Sequence, residues 1–239
     1  MGINICIASG KDGVGKSQIA ANLGAVISNM GINTLIMDCD IKGASLGLIY
    51  GVTDQTAPSL QDVLKGRCDA GDAVIESLGI NLVIGSLKIQ QMMGIPLDTL
   101  HEVIGRYTDT YEVVIVDSPG GLGGDALAVI DACSYLLLVL TPDINSIIHG
   151  IKTLIVAKKT KTIVLGAVLN RTGSHYDIPV KQASEFLNIA MLGKIPEENL
   201  IKRSAREAVP MVLGYPKSKF SKNIRQVSSM ILDLLNYTV

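Results

Sequence analysis

Seven short runs of the chain are apolar at nearly every position: residues 3–8, 34–37, 81–84, 113–116, 135–140, 163–169 and 189–194. Alternating apolar and polar residues would mark a sheet with one wet face, whereas continuous apolar runs mark strands covered on both faces. Between these runs the apolar positions recur at helical spacing. In residues 16–30, Ile19, Leu23, Val26 and Ile27 share a face, and in residues 219–236 so do Phe220, Ile224, Val227, Ile231 and Leu234. Further helical patterns cover 59–64, 97–104, 126–132, 144–159 and 180–187. This alternation predicts an α/β fold: a doubly wound, mainly parallel sheet with helices on both faces. No repeat, low-complexity segment or linker divides the chain, so residues 1–239 are expected to form one domain. Functional groups in such a fold collect at the carboxyl ends of the strands.

Composition agrees with this picture. Hydrophobic residues make up 48% of the 239, aromatics only 4%, and there is no Trp, so the apolar mass is aliphatic, as buried parallel strands require. The formal net charge of −1 gives no general signal for a polyanion partner. The charge is uneven, however. Residues 194–225 hold eight basic side chains (Lys194, Lys202, Arg203, Arg206, Lys217, Lys219, Lys222 and Arg225) against three acids (Glu197, Glu198 and Glu207). A solvated basic rim is the simpler reading, and a DNA-binding face the weaker alternative. The four cysteines, Cys6, Cys39, Cys68 and Cys133, form no C-x-x-C pair, which argues against a zinc ribbon, redox motif or disulfide framework. His101, His149 and His175 show no metal spacing. No signal peptide and no apolar stretch of about 18 residues is seen, so a cytoplasmic protein is expected.

The sharpest motif follows the first strand. Gly10-Lys11-Asp12-Gly13-Val14-Gly15-Lys16-Ser17 matches G-x-x-x-x-G-K-[ST] and opens a helix beginning with Lys16, Ser17 and Gln18. Amides of a glycine-rich turn, together with a helix N-terminus, form a phosphate cradle. Lys16 would reach the β- and γ-phosphates, and Ser17 would offer a hydroxyl to Mg²⁺. The run 113–116 delivers Asp117 at its end, the Walker B arrangement, followed by Ser118-Pro119-Gly120-Gly121. The run 34–37 delivers Asp38-Cys39-Asp40, whose two carboxylates would point the same way in an extended chain. One of them capping the next turn is the alternative. After the run 163–169 comes Asn170-Arg171-Thr172-Gly173. Asn170 is suited to an adenine ring, and Gly173 stands where guanine recognition would place an Asp, which favours ATP over GTP.

Lys11, one residue after Gly10, marks the deviant Walker A proteins. Together with Asp38-x-Asp40, Asp117-Ser-Pro-Gly-Gly, Asn170-Arg171 and Ile195-Pro196-Glu197-Glu198, the loop resembles the MinD/ParA family of ATPases over essentially the whole chain. In length and motif order it is similar to archaeal MinD-like ATPases. The resemblance implies an ATP-dependent homodimer with ATP and Mg²⁺ as cofactors and slow hydrolysis as a timer for spatial positioning. An activating or cargo protein is implied as partner. Lys11 then crosses the dimer to touch the partner subunit's phosphates, Asp40 positions the hydrolytic water, and Asp38 supports the metal beside Ser17, Asp40 and Asp117. Asn170, Arg171 and the loop Pro196, Glu197, Glu198 contact adenine. Two departures stand out. Asp12 replaces the family's usual Gly, which is expected either to strain the turn beside the phosphates or to point its carboxylate outward to a basic group across the dimer; either way slow hydrolysis is expected, with binding retained. Bacterial MinD has an amphipathic anchor after its last helix, and here the chain ends at Val239 directly after that helix, so membrane attachment is not expected.

Overall fold

The structure, a computed structural model, describes residues 2–52 and 57–237. Its frame is an eight-stranded sheet: β1 (Ile3–Ala8), β2 (Thr34–Asp38), β3 (Val74–Ser77), β4 (Ile80–Val83), β5 (Val113–Asp117), β6 (Tyr135–Leu140), β7 (Ile163–Thr172) and β8 (Met191–Pro196). The spatial order is β3-β4-β2-β5-β1-β6-β7-β8. Every neighbouring pair is parallel except β3 with β4.

Helices cover both faces, as the continuous apolar runs require. On one face α1 (Lys16–Asn29) and α10 (Lys219–Leu234) pack with the short α2 (Leu46–Ile49) and α9 (Met211–Gly214), burying Ile19, Leu23, Phe220 and Ile224. On the other lie α3 (Leu60–Leu64), α4 (Leu100–Thr110), α5 (Gly124–Ala132), α6 (Ile144–Thr160) and α7 (Val180–Leu187), around Val103, Ile130, Ile147 and Leu187. The apolar face of α10 is core at Phe220, Ile224, Val227 and Ile231, as its spacing predicted, but Leu234 in the last turn is exposed, because the helix ends beyond the sheet it covers. Among the described residues no helix is long and apolar enough to cross a membrane.

Several elements escape the apolar pattern. The hairpin β3–β4 turns through Leu78 and Gly79, both at positive φ (54° and 74°). Asn-Gly would announce such a turn, and Leu-Gly does not. Helix α8 (Leu200–Glu207) fully buries only Ser204 and rests on the core through the partly buried Leu200 and Ile201, an apolar face too short to stand out in the sequence. Strand β7 continues to Thr172 and β8 runs to Pro196 rather than 194, because pairing between them extends past the apolar run.

Helix α1 sits unusually close to the sheet. A Cβ on Gly24 would lie 2.5 Å from Ile36 Cγ1 on β2. Overpacking a rigid core forces backbone shifts worth about 1–3 kcal/mol. Gly24→Val is therefore expected to lower the unfolding free energy by that amount, seen as a lower urea midpoint with an unchanged slope, which chemical denaturation followed by circular dichroism will measure.

Candidate functional site

Three strand ends converge at one edge of the sheet. In the central register Ile7 of β1 pairs with Asp117 of β5, and Asp117 pairs with Asp38 of β2. The chain leaves β1 into Ser9 and the loop from Gly10 to Gly15, then enters α1. Gly13 and Gly15 take φ of 74° and 95°, which only glycine adopts freely, and so turn the loop inward. Asp12 does not share that left-handed geometry, so the expectation of a strained turn is corrected: its Cβ is tolerated. No side chain caps the first turn of α1, so its amides stay open to an anion.

Cradle residues Asp12, Gly13, Gly15, Lys16, Ser17 and Gln18 line one cleft of about 350 Å³ with Asp40 and Arg171. Lys16 is only 7% exposed within it, and Val14 is buried beneath. Gly10 packs on α6, where a Cβ would meet the His149 carbonyl at 2.5 Å. Sequence reasoning missed Ser45, Leu48 and Ile49 around α2, and Ala205 of α8, which also line the cleft. Their elements are too short or too polar to show a periodic signal.

The carboxylates divide their work. Asp38 is fully buried, and both its oxygens accept backbone amides, from Asp40 at 3.1 Å and Leu46 at 3.0 Å. The chain is thus not extended through Asp38-x-Asp40. Strand β2 ends at Asp38, whose carboxylate caps the following turn, and Asp40 closes that turn by accepting from the Gly43 amide at 3.0 Å. Asp117 is also fully buried, yet neither oxygen has a hydrogen-bond partner. The Ser17 hydroxyl lies near enough to favour the anion without completing a hydrogen bond. Burial, and then the charge of Asp38, push the Asp117 carboxyl well above the usual range, against Ser17 and Lys16. Burial likewise pushes Asp38 up to about 7, against its two amide bonds. Two orphaned oxygens in a dry pocket beside a serine hydroxyl are a donor set that fits a hard divalent cation.

Lys11 turns away from its own cradle. Its Nζ lies 3.3 Å from both oxygens of Asp143, and the lysine side chain is 38% exposed. Asp143 also caps α6 through the Ser146 amide and accepts from Thr141 Oγ1 at 2.6 Å. Burial opposes its ionisation, but these bonds and Lys11 hold its carboxyl below the usual range. The Asp-x-x-Ser cap was readable in the sequence; its pairing with Lys11, 132 residues away, was not. Asp12 is exposed, and its carboxylate rests against Gly120, where a Cβ would collide with it and would lie 3.1 Å from Lys16 Nζ.

Asn170 ends the apolar part of β7 under the loop. Its Nδ2 donates to the Val14 carbonyl at 2.8 Å, and its buried Oδ1 is left without a donor. Arg171, at φ 59°, lines the cleft. Glu198 is engaged elsewhere: its carboxylate accepts the Lys219 and Phe220 amides at the start of α10. Pro196 faces a different cavity, and the Glu197 amide bonds the Thr172 carbonyl. The loop Pro196, Glu197, Glu198 thus stands beside the nucleotide cleft rather than in its lining.

A glycine cradle between strand and helix, with a buried carboxylate at the end of the adjacent strand, defines a P-loop NTPase. The chain belongs to the ParA family, whose model, described as NUBPL iron-transfer P-loop NTPase, matches residues 2–232. It is 31% identical over 97% of its length to an uncharacterized ATP-binding protein of Methanocaldococcus jannaschii, covering 88% of that protein. The fold superposes on the cell division ATPase MinD of Pyrococcus furiosus with a TM-score of 0.94, at 33% identity over 98% of this chain and 100% of that one. It matches the septum site-determining protein MinD of Pyrococcus horikoshii, solved with Mg-ADP, equally well: TM-score 0.94, 30% identity, 98% of each chain.

Asp117 gives this site a testable energetic signature. A carboxyl raised by folding costs nothing while protonated, below its unfolded value of about 3.9, and costs more as pH climbs toward the folded value. Asp117→Asn is therefore expected to leave the stability of the nucleotide- and metal-free protein nearly unchanged at acid pH. By neutral pH it should raise stability by about 1–3 kcal/mol. Thermal melts in chelator across that range will show the gap opening with pH.

Proposed function

We propose that this chain is an ATP-binding, slowly hydrolysing dimerisation switch of the MinD type, acting in spatial positioning inside the cell. The observation that carries the reading is the contrast between the two loop lysines. Lys16 is buried in the cradle, where it can hold phosphates of its own nucleotide. Lys11 leaves that cradle for Asp143 at the protein surface, the disposition of a cation that serves a second subunit's nucleotide. A cation delivered in trans stabilises charge developing on the phosphoryl oxygens and couples dimerisation to occupancy of the site.

In this reading the amides of Gly10 to Ser17 hold the phosphates, and Lys16 binds the β- and γ-oxygens. Ser17 and Asp117 would hold Mg²⁺, which supplies neutralisation of phosphate charge, while Asp38 and Asp40 stand behind them. Asp40 keeps one oxygen on the Gly43 amide and lines the cleft, where its carboxylate can accept a proton from attacking water. Adenine is assigned to Asn170 because its unpaired Oδ1 can accept from the exocyclic amino group, whereas guanine offers an acceptor there; that oxygen is buried behind the cleft lining and must be uncovered when the base binds. The ATP-binding relative from Methanocaldococcus jannaschii and the Mg-ADP complex from Pyrococcus horikoshii support the same nucleotide and metal here. Partners in this reading are a second copy and an activating or cargo protein, in the cytoplasm.

A second reading, a ParA-like partition ATPase that binds DNA, is favoured by α8, which exposes Lys202, Arg203 and Arg206 beside the cleft. Retention on DNA–cellulose with ATP, lost at moderate salt, would favour it, and absence of retention at low salt would remove it. The carboxylate of Asp12 beside Lys16 opposes a third phosphate, which supports slow turnover and, at the limit, a nucleotide-locked scaffold.

Two measurements test the switch. Lys11→Ala is expected to stay monomeric with ATP under sedimentation while still binding nucleotide; a dimer with undiminished turnover would sink the mechanism. Asp12→Gly is expected to raise ATP turnover roughly tenfold, the effect of about 1.4 kcal/mol of electrostatic opposition. Unchanged or lower turnover would count against that role for Asp12.

A further inference from the structure

The sheet ends at β8, which pairs with β7 and with no strand on its other side among the described residues. That free edge adjoins two cavities. One, of about 640 Å³, is lined by Lys194 and Pro196 of β8, Pro179 and Val180 at the start of α7, and Lys219 and Lys222 of α10. The other, of about 950 Å³, shares Val180 and continues along α7 past Lys181 to Met191, where β8 begins. The second is a shallow depression open to solvent along α7. Helix α10 packs on one face of the sheet and α7 on the other. The first cavity opens at the carboxyl end of β7 and β8, where it also meets Leu169 and Thr172, and the second reaches the start of β8 at Met191, so the two flank the free strand at its two ends and meet at Val180.

Two features select an occupant. The first is backbone: an unpaired strand edge between two helices accepts an extended chain as an added strand, with main-chain hydrogen bonds for affinity and side-chain pockets for selectivity. Pro196 has no amide hydrogen, which limits pairing to residues 191–195. The second is charge. Lys181, Lys194, Lys219 and Lys222 are exposed and have no carboxylate within ion-pair distance among the described residues. Of the nearby acids, Asp177 is held by the Gly173 and Ser174 amides, and Glu198 by the start of α10, leaving Glu185 and Glu197 as the exposed ones against the four lysines. Lys194 on the edge strand, with the lysines of the flanking helices, also repels a second copy, because antiparallel self-pairing would bring these like charges together. Leu169, Ile178 and Val180 add an apolar lining that a phosphodiester backbone would not use.

We propose that the β8 edge is a docking site for an extended acidic segment of another protein, which adds to the sheet as a ninth strand. The site is separate from the nucleotide cleft and does not rest on the reading of that cleft.

The test uses the full chain and a fluorescein-labelled peptide of alternating Glu and Val, followed by anisotropy at low salt. Saturable binding is expected, together with slowed amide exchange at residues 191–195. Lys219→Glu combined with Lys222→Glu should weaken binding at least about tenfold while leaving the circular dichroism spectrum unchanged. A peptide N-methylated at alternate residues should lose binding to a similar degree. Absence of saturable binding overturns the proposal, as does equal binding of a Lys-Val peptide or indifference to N-methylation. Binding of duplex DNA in place of the peptide, or self-association that the same lysine changes abolish, would overturn it as well.

Discussion

The register of three parallel strands is the constraint on which the site depends. Backbone hydrogen bonds hold β5 between β1 and β2, so that Ile7, Asp117 and Asp38 lie abreast. Each strand then releases its chain at the same edge: β1 into the glycine loop, β2 into the Asp40 turn, β5 into the Gly120 loop. A slip of one residue would move Asp117 to the opposite face of the sheet. The packing that prevents the slip is the double-sided apolar cover, with α1 drawn onto Ile36 by the absence of a side chain at Gly24.

That register forces carboxylates into a dry place, and the surroundings decide what each one does. Asp38 receives two amides and becomes a strut for the loop beyond β2. Asp117 receives none, so it is a poor contributor to stability and a ready ligand. The same contrast separates the lysines. Lys16 stays in the cradle as its fixed cation, whereas Lys11 is drawn off by Asp143, a residue already pinned as the cap of α6. Opposite them Asp12 lies on Gly120, which has no Cβ to push it away. The cradle thus carries a carboxyl group of its own next to Lys16.

Away from this edge the molecule keeps a second kind of surface. The nucleotide cleft is bordered by the ends of strands in the middle of the sheet, whereas β8 lies at its margin with one side unpaired. Lysines from α7, β8 and α10 come together there although they are spread over 42 positions of the chain, from Lys181 to Lys222. The basic stretch 194–225 is therefore not one face. Lys202, Arg203 and Arg206 lie on α8 near the cleft, and Lys194, Lys219 and Lys222 line the cavity at the carboxyl end of β8.

The amino-acid sequence by itself determined the α/β class, seven of the eight strands, the cradle from Gly10 to Ser17, Asp117, and the membership in the ParA family. These are local signals: apolar runs long enough to be buried strands, and a loop whose glycines and lysine sit in consecutive positions. Only the tertiary structure decided the rest. It alone placed Asp143 under Lys11, Gly120 under Asp12, Asn170 against Val14 and Glu198 on α10, because each pair is distant in sequence and meets through strand order. It added β3, α8 and the short helices at the cleft, which bury too few apolar residues to announce themselves. Strand order is set by which crossovers pack on which face of the sheet, and that is a property of the whole core rather than of any segment.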